Sequence, residues 1–100
     1  MFEMLVGLAV TDNEIYDQYR SAMKPILTQF GGDFGYDLRV SEVLKSPSEA
    51  PINRLFTINF PTEAHMNEFF SDPRYLEVKH AYFTRSVLST SIIASYLKAD

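Results

Sequence analysis

The sequence predicts one α+β domain with its elements in the order β-α-β-β-α-β. Three observations predict it: an uninterrupted apolar run near the N-terminus, two segments with the apolar spacing of helices, and three later segments with strand patterns. The chain has 100 residues, of which 46% are apolar and 22% charged, and these proportions exclude intrinsic disorder. We therefore expect a single compact domain spanning residues 1–100.

The first strand and the first helix follow from the N-terminal third. Residues 4–10 are all apolar, as expected for a short strand buried on both faces. Thr11 and Glu14 have the spacing of a capping box that begins a helix. The apolar face of this helix recurs every three or four residues, at Ile15, Tyr19, Met23, Ile26 and Phe30. Pro25 lies within the helix and is expected to kink or interrupt it, and a Gly-Gly pair should end it.

The rest of the chain predicts three strands and a divided helix. Residues 34–41 alternate, with Phe34, Tyr36, Leu38 and Val40 on one face and Gly35, Asp37, Arg39 and Ser41 on the other. Residues 54–60 and 87–97 predict the last two strands. Between them a helix opens after Pro61 and restarts at Asp72, which has the character of an N-cap and precedes a proline.

This order is typical of the ferredoxin-like arrangement, an antiparallel four-stranded sheet with both helices on one face. The first and third strands are central in it, which agrees with the lack of polar residues in 4–10. The face without helices would carry Leu5, Ala9 and Leu55, and no segment remains to cover it. We therefore expect a homodimer in which two sheets face each other.

A set of short motifs, spread in order over nearly the whole chain, points to a known family. The set comprises Tyr19, Pro25, Phe30-Gly31-Gly32, Phe60-Pro61-Thr62 and Asp72-Pro73-Arg74-Tyr75. In these motifs the chain resembles a bacterial family of unknown function within the dimeric α/β-barrel superfamily. The resemblance implies a fold similar to antibiotic-biosynthesis monooxygenases and muconolactone isomerases. It also implies a dimer through the sheet faces and a pocket between sheet and helices.

The chain departs from the family at two arginines. The family often has an arginine where this chain has Asp37, and Arg39 lies two positions later on the same predicted face. The family also often has an arginine where this chain has Tyr82, and Arg85 is the nearest arginine. Whether Arg39 or Arg85 replaces the usual arginine is left open.

Five residues are candidates for ligand binding. Asp37 and Arg39 are predicted to project from the face without helices, where a charge needs a partner. They would either anchor a ligand or form a structural ion pair at the rim of a dimer. Tyr19, Tyr75 and Tyr82 lie on the predicted helices, where aromatic side chains fill cores and can also line a cavity. His80 is the weak candidate for an acid–base group, because only two histidines occur.

Composition excludes several other classes of function. The chain has no cysteine, which rules out disulfides and thiolate metal sites, and no histidine spacing typical of a metal site occurs. The net charge of −4 argues against nucleic acid as a partner, and no apolar run is long enough for a membrane span. We expect a cytoplasmic protein without metal or cofactor that binds or transforms a small aromatic or carboxylate-bearing molecule. The alternative is a non-catalytic dimeric interaction module.

Overall fold

A computed structural model describes residues 1–99 of the chain. The elements are β1 (Phe2–Val10), α1 (Asn13–Gln29), β2 (Asp33–Arg39), β3 (Arg54–Phe60), α2 (Glu63–Ser71), α3 (Pro73–Val78), a π-helical segment (Lys79–Phe83), the helical turn α4 (Thr84–Ser86) and β4 (Val87–Leu97). The predicted domain extent includes Asp100, which lies outside the described residues. Of the helices in the described part, none has the length and hydropathy needed to cross a membrane.

The strands form one antiparallel sheet in the order β2-β3-β1-β4. The predicted α+β ferredoxin-like fold is therefore confirmed, with β1 and β3 at the centre. Alternate residues of the two central strands face the helices and pack against the buried residues of α1, α2 and α3. This helix-covered face holds the hydrophobic core, in which aromatic rings predominate.

Helix α1 differs from the prediction at its start and at its proline. Asp12, not Thr11, is the N-cap: its Oδ1 accepts a hydrogen bond from the backbone N–H of Ile15 at 3.0 Å. The Thr11 hydroxyl instead donates to the carbonyl of Ser86 at 3.2 Å, which ties β1 to α4. Pro25 neither ends nor interrupts the helix, and it lies on the exposed side, where water can hydrate the carbonyl that loses its donor.

The divided second helix is confirmed, with Asp72 at the break. Asp72 ends α2 in an extended conformation, and its side chain accepts from the backbone N–H of Arg74 at the start of α3. The chain then continues without a gap through the π-helical segment and α4 into β4. One long helical run therefore faces α1 and the sheet, and the π-helical turn shifts which side chains face inward.

Strand β2 contains a bulge that overturns the predicted assignment of its faces. Phe34 pairs with Ile58 and Asp37 pairs with Phe56, so two residues of β2 lie opposite Thr57 alone. The backbone N–H of the second of these residues donates to the Thr57 hydroxyl at 2.8 Å. Gly35 makes the approach possible, because a Cβ there would lie 2.5 Å from that hydroxyl oxygen. The prediction that Asp37 and Arg39 project away from the helices is therefore wrong, because they pair with Phe56 and Arg54, which lie on the helix-covered side.

The bulge moves Tyr36 and Leu38 to the face without helices, which we call the open face. They were predicted to share a face with Phe34, but Leu38 pairs with Leu55 and both flank Leu5 in an apolar groove. Tyr36 is 70% exposed and Leu38 is 48% exposed, so the groove has no cover within residues 1–99.

The expectation that no segment remains to cover the open face is wrong for part of it. Ile52, in the loop before β3, packs on Gly7, where a Cβ would lie 2.9 Å from the isoleucine Cδ1. At the other end Glu3 is buried, and its carboxylate accepts from the Tyr96 hydroxyl at 2.6 Å and from Lys98 Nζ at 3.5 Å. The uncovered groove lies between these two pieces.

Candidate functional site

A cavity lies between the helix-covered face of the sheet and the helices. It has a volume of about 340 Å³, which is near the lower end of the range of small-molecule sites, roughly 300–1,000 Å³. The lining residues are Met4, Val6, Leu8, Tyr16, Tyr19, Arg20, Met23, Phe34, Phe56, Ile58, Phe70, Tyr75, Lys79, Phe83, Thr90 and Ile92. Most of this wall is apolar, so a bound molecule would bury an apolar body and direct its polar groups to a few positions.

Two tyrosine hydroxyls meet inside this cavity. The Tyr19 and Tyr75 oxygens lie 2.8 Å apart, and the rings are in edge contact with centroids 6.3 Å apart. One hydroxyl donates to the other, and within residues 1–99 no acceptor contacts the second proton. The pair therefore offers one O–H donor to a ligand oxygen.

Burial keeps these hydroxyls protonated. It raises the pKa of Tyr19 well above its ordinary value and also raises the pKa of Tyr75. The pKa of Tyr16 is raised by burial as well, although the guanidinium of Arg20 opposes the rise. At neutral pH all three therefore act as neutral hydroxyls that donate or accept hydrogen bonds, and none is a phenolate base.

A cluster of charged residues lies at the side of the cavity nearest β2. Arg20 Nε donates to the Tyr16 hydroxyl at 2.8 Å, while Nη1 and Nη2 donate to the Asp37 carboxylate at 3.2 and 3.4 Å. Arg54 donates to both oxygens of the same carboxylate, from Nε and Nη2, at 2.8 Å each. The Arg20 guanidinium also lies over the Phe34 ring, with its Cζ 3.9 Å from the centroid.

The charges of this cluster act on one another. The hydrogen bonds from Arg54, joined by the charge of Arg20, hold the pKa of Asp37 below its ordinary value. In turn, the bond to Asp37 raises the pKa of Arg54. The cluster is thus fully ionised at neutral pH, with two positive charges and one negative charge.

The structure brings only some of the sequence-predicted site residues to the cavity. Tyr19 and Tyr75 line it. Asp37 does not line it but holds Arg20, which does. Arg39 is exposed at the end of β2, and no hydrogen bond or ion pair joins its side chain to the described residues.

The other two predicted residues lie elsewhere. Tyr82, on the π-helical segment, lies beside Asp17 and Ser21 of α1 in a shallow surface depression outside the cavity. His80 is exposed on the π-helical segment and does not line the cavity. In the part of the chain that the structure describes, neither a histidine nor a carboxylate lines the cavity. The site can therefore bind and polarise a ligand oxygen, but its lining contains no histidine or carboxylate that could act as a general base.

Sequence reasoning missed Arg20 and Lys79, the two cations that line the cavity. Arg20 lies one residue after Tyr19 and four after Tyr16, so its position at the edge of the buried helix face could have been noticed from the spacing. Lys79 opens the π-helical segment, which has no sequence signal of its own, and its Nζ lies 5.9 Å from the Phe83 ring centroid.

Residues 1–99 contain no group of three or more histidine, cysteine, aspartate or glutamate side chains that could hold a metal ion. The glycine pair at residues 31–32 follows a helix, and a Cβ there would meet Pro61 or Leu27, so the pair does not open a helix toward a phosphate.

Solved structures with this fold are similar along the whole chain. RPA0582, a protein of unknown function from Rhodopseudomonas palustris, matches with a TM-score of 0.81 at 18% identity, covering 99% of this chain and 82% of that chain. A dabb family protein with a ferredoxin-like fold from Mesorhizobium loti matches with a TM-score of 0.67 at 16% identity, covering 99% and 97%. A protein of antibiotic biosynthesis monooxygenase type from Nitrosomonas europaea matches with a TM-score of 0.67 at 10% identity, covering 98% of each chain. At these identities the similarity shows the fold alone.

No curated protein matches the chain. A family match does exist, and it confirms the resemblance drawn from the motifs, including the similarity to folds of the monooxygenase type. The match spans residues 4–96, from β1 into β4, and thus contains every element that lines the cavity. The chain belongs to the family described as domain of unknown function DUF1330.

Proposed function

We propose that this protein binds a small organic molecule, aromatic or carboxylate-bearing, in the cavity between sheet and helices, without a metal or a nucleotide. The single observation that carries the proposal is the paired hydroxyls of Tyr19 and Tyr75 inside an otherwise apolar cavity of about 340 Å³. Apolar walls with a few convergent polar groups are typical of small-molecule sites. Tyr19 and Tyr75, named from the sequence, are the proposed ligand contacts.

The chemistry offered by the cavity is hydrogen-bond donation to an oxygen. The free O–H of the tyrosine pair and the guanidinium of Arg20 can stabilise negative charge on a carbonyl, enolate or carboxylate oxygen. If the bound molecule reacts, proton removal must come from water or from the molecule itself, because the lining presents only neutral hydroxyls and cations. The neighbour of monooxygenase type lends support through its fold only.

The test compares binding by the wild type with that of a blocked and a control variant. Ile92 lines the mouth of the cavity and is 61% exposed, whereas Ile93 is 51% exposed and does not line it. Ile92→Trp should therefore block entry without disturbing the core, and Ile93→Trp adds the same bulk beside it. We expect aromatic and carboxylate fragments detected by ligand-observed NMR to bind the wild type and Ile93→Trp but not Ile92→Trp. Absence of binders, or equal binding by both variants, would overturn the proposal.

The apolar groove on the open face favours a second role, as the contact surface of a homodimer. Leu5, Leu38 and Leu55 line it, and an exposed apolar groove of this kind in the centre of a sheet usually has a partner. We propose that a second copy of the chain covers this groove, as the sheet pattern and the family resemblance both implied. If the dimer forms but the cavity takes no ligand, the chain is the non-catalytic module and not a small-molecule protein.

Light scattering after size exclusion tests the dimer. The wild type at micromolar concentration should have twice the chain mass, and Leu38→Asp should have the mass of one chain because the charge would be buried in the contact. Leu44→Asp, in the exposed loop before β3, is the matched control and should stay dimeric. A monomeric wild type would contradict the dimer. A cytoplasmic location for this assembly is part of the same proposal.

A further inference from the structure

The two arginines that share Asp37 are not held equally. Arg54 makes two hydrogen bonds of 2.8 Å to the carboxylate, one to each oxygen, in the bidentate arrangement that binds most strongly. Arg20 makes longer bonds of 3.2 and 3.4 Å to the same oxygens. Only Arg20 lines the cavity. The carboxylate is therefore satisfied by the arginine outside the cavity and only loosely engaged by the one inside it.

Two N–H groups of Arg20 have no acceptor among residues 1–99. Of its five N–H groups, Nε–H is bound to the Tyr16 hydroxyl, and one from each terminal nitrogen points to Asp37. Within residues 1–99 no acceptor contacts the remaining two. The guanidinium lies over the Phe34 ring and has the Phe56 ring centroid 4.8 Å from its Cζ. The Arg20 side chain can rotate slightly and keep its cation–π contact with these rings, because the attraction depends little on how the guanidinium is turned within its own plane.

The cavity as a whole has an excess of donors over acceptors. Its charged lining residues are Arg20 and Lys79, both cations, and the Tyr19–Tyr75 pair adds a hydroxyl proton that has no acceptor. The carboxylate that Arg20 contacts, Asp37, is already neutralised by Arg54. A molecule that fits this site must therefore bring acceptors, and a negative charge on it would be balanced.

We propose that the cavity selects monocarboxylates with an aromatic or other apolar body, and that Arg20 exchanges its bonds to Asp37 for a bidentate pair with the ligand carboxylate while Arg54 retains Asp37. This inference rests on the proposed function, whose site it refines. Exchange is favourable because no charge is left unpaired at any stage: Asp37 keeps two short bonds, and Arg20 passes from one carboxylate to another. Arg54 is then a positioning residue, which acts on the ligand only by holding Asp37.

Calorimetric titration with matched acids and amides tests the exchange. The probes are trans-cinnamate against cinnamamide and 2-naphthoate against 2-naphthamide, in a buffer free of carboxylates. We expect the wild type to bind each acid at least about tenfold more tightly than its amide. In Arg20→Gln the acids should bind no more tightly than their amides, and the affinity for the amides should be unchanged. Arg54→Gln should also reduce the preference, because Arg20 would then be the sole partner of Asp37.

Two further variants keep the result interpretable. Arg39→Gln removes an exposed arginine of β2 outside the cavity and should retain the full preference, which separates a local contact from the overall charge. Arg20→Lys keeps the positive charge but not the bidentate guanidinium, and it should retain only part of the preference for acids. If Arg54→Gln does not fold, the two Arg20 variants still test the inference. Equal binding of acids and amides by the wild type would overturn the inference and leave the proposed function standing. Binding of neither member of any pair would overturn both, and an equal loss in Arg20→Gln and Arg39→Gln would overturn the inference alone.

Discussion

The two faces of the sheet are built from the same four strands but are completed differently. On the helix-covered face, α1 and the later helices bury the apolar residues and still leave a cavity with paired polar groups. On the open face, the cover consists of two separate pieces, Ile52 over Gly7 and Tyr96 over Glu3, with an exposed apolar groove between them. The helix-covered face is therefore covered within one chain around a cavity, whereas the groove on the open face is left uncovered by residues 1–99.

Deleting a ring from the helix-covered face should have the largest effect on stability. Phe69 is fully buried, and the Tyr75 and Phe70 rings lie with centroids 4.5 and 5.0 Å away. Phe69→Ala should lower the free energy of unfolding in urea by about 3–5 kcal/mol, because it removes apolar area and leaves a cavity. Leu38→Ala on the open face should cost about 1 kcal/mol or less at low protein concentration.

The same pair of variants sharpens the contrast between the faces. If a second chain covers the groove, the cost of Leu38→Ala must grow with protein concentration, since the dimer is stabilised by mass action, and the cost of Phe69→Ala must not. A cost for Leu38→Ala as large as that for Phe69→Ala at every concentration would mean that the open face is covered within the single chain.

The next largest effect on stability is expected from removing the charge of Asp37, whose carboxylate joins β2 and β3 to α1. Asp37→Asn should lower the free energy of unfolding by about 1–3 kcal/mol at pH 7, because Arg54 and Arg20 lose a charged partner in a half-buried site. Glu68→Gln, an exposed carboxylate on α2, is the control and should change little.

The acid limb of the stability profile tests the cause of this loss. The pKa of Asp37 is lower in the folded chain than its ordinary value, so its contribution is present above the unfolded pKa of about 3.9 and is lost as pH falls through the folded pKa. The difference between wild type and Asp37→Asn should therefore shrink below about pH 4. Parallel profiles down to pH 2 would show that the ion pairs do not carry the effect.

A smaller effect is expected at the hydroxyl pair. Tyr19→Phe and Tyr75→Phe should each cost about 1 kcal/mol, and the double variant should cost less than their sum, with a coupling of roughly 0.5–1.5 kcal/mol. Tyr82→Phe, whose hydroxyl lies outside the cavity, should be nearly neutral. Additive losses for Tyr19 and Tyr75 would contradict a shared hydrogen bond.

Alkali tests the same pair from the other direction. Burial raises the pKa of Tyr19 and Tyr75 in the folded chain. Their contribution to stability is therefore complete below the unfolded pKa of about 10 and declines as pH rises toward the folded values. The double Phe variant should lose less stability than the wild type above pH 10, and absorbance titration should show two fewer tyrosines that ionise late.

The order of the elements could be predicted from the sequence because periodicity reports burial directly. The apolar run in β1, the break at Asp72 and the limits of β3 and β4 all lie where the pattern indicated them. What failed was the assignment of faces in β2. Strict alternation assumes an unbroken register, and the bulge opposite Thr57 depends on a side chain 21 positions away, which accepts the backbone N–H of Tyr36.

That failure explains why the cluster of charged residues beside the cavity was not foreseen. Tyr19 and Tyr75 were identified because their place on helix faces does not depend on the register of the sheet. Asp37 was identified, but with the wrong face and therefore the wrong partner, so its pairing with Arg20 could not be anticipated. A single residue inserted in a strand exchanges the faces of everything after it, and the sequence contains no local sign of it apart from Gly35.

Arg39→Gln is the smallest effect that we expect, and it tests which arginines hold Asp37. The sequence-based prediction paired Arg39 with Asp37, two residues earlier on the same face, so that its loss would be felt as strongly as that of Asp37. The bulge precedes both residues and leaves them on one face, but it turns that face toward Arg20 on α1. In the structure Asp37 is held by Arg54 and Arg20, while the side chain of Arg39 is exposed and makes no hydrogen bond or ion pair to a described residue. Urea unfolding of Arg39→Gln should therefore stay within about 0.5 kcal/mol of the wild type. A loss comparable to that of Asp37→Asn would mean that Arg39, not Arg20, is the partner of Asp37.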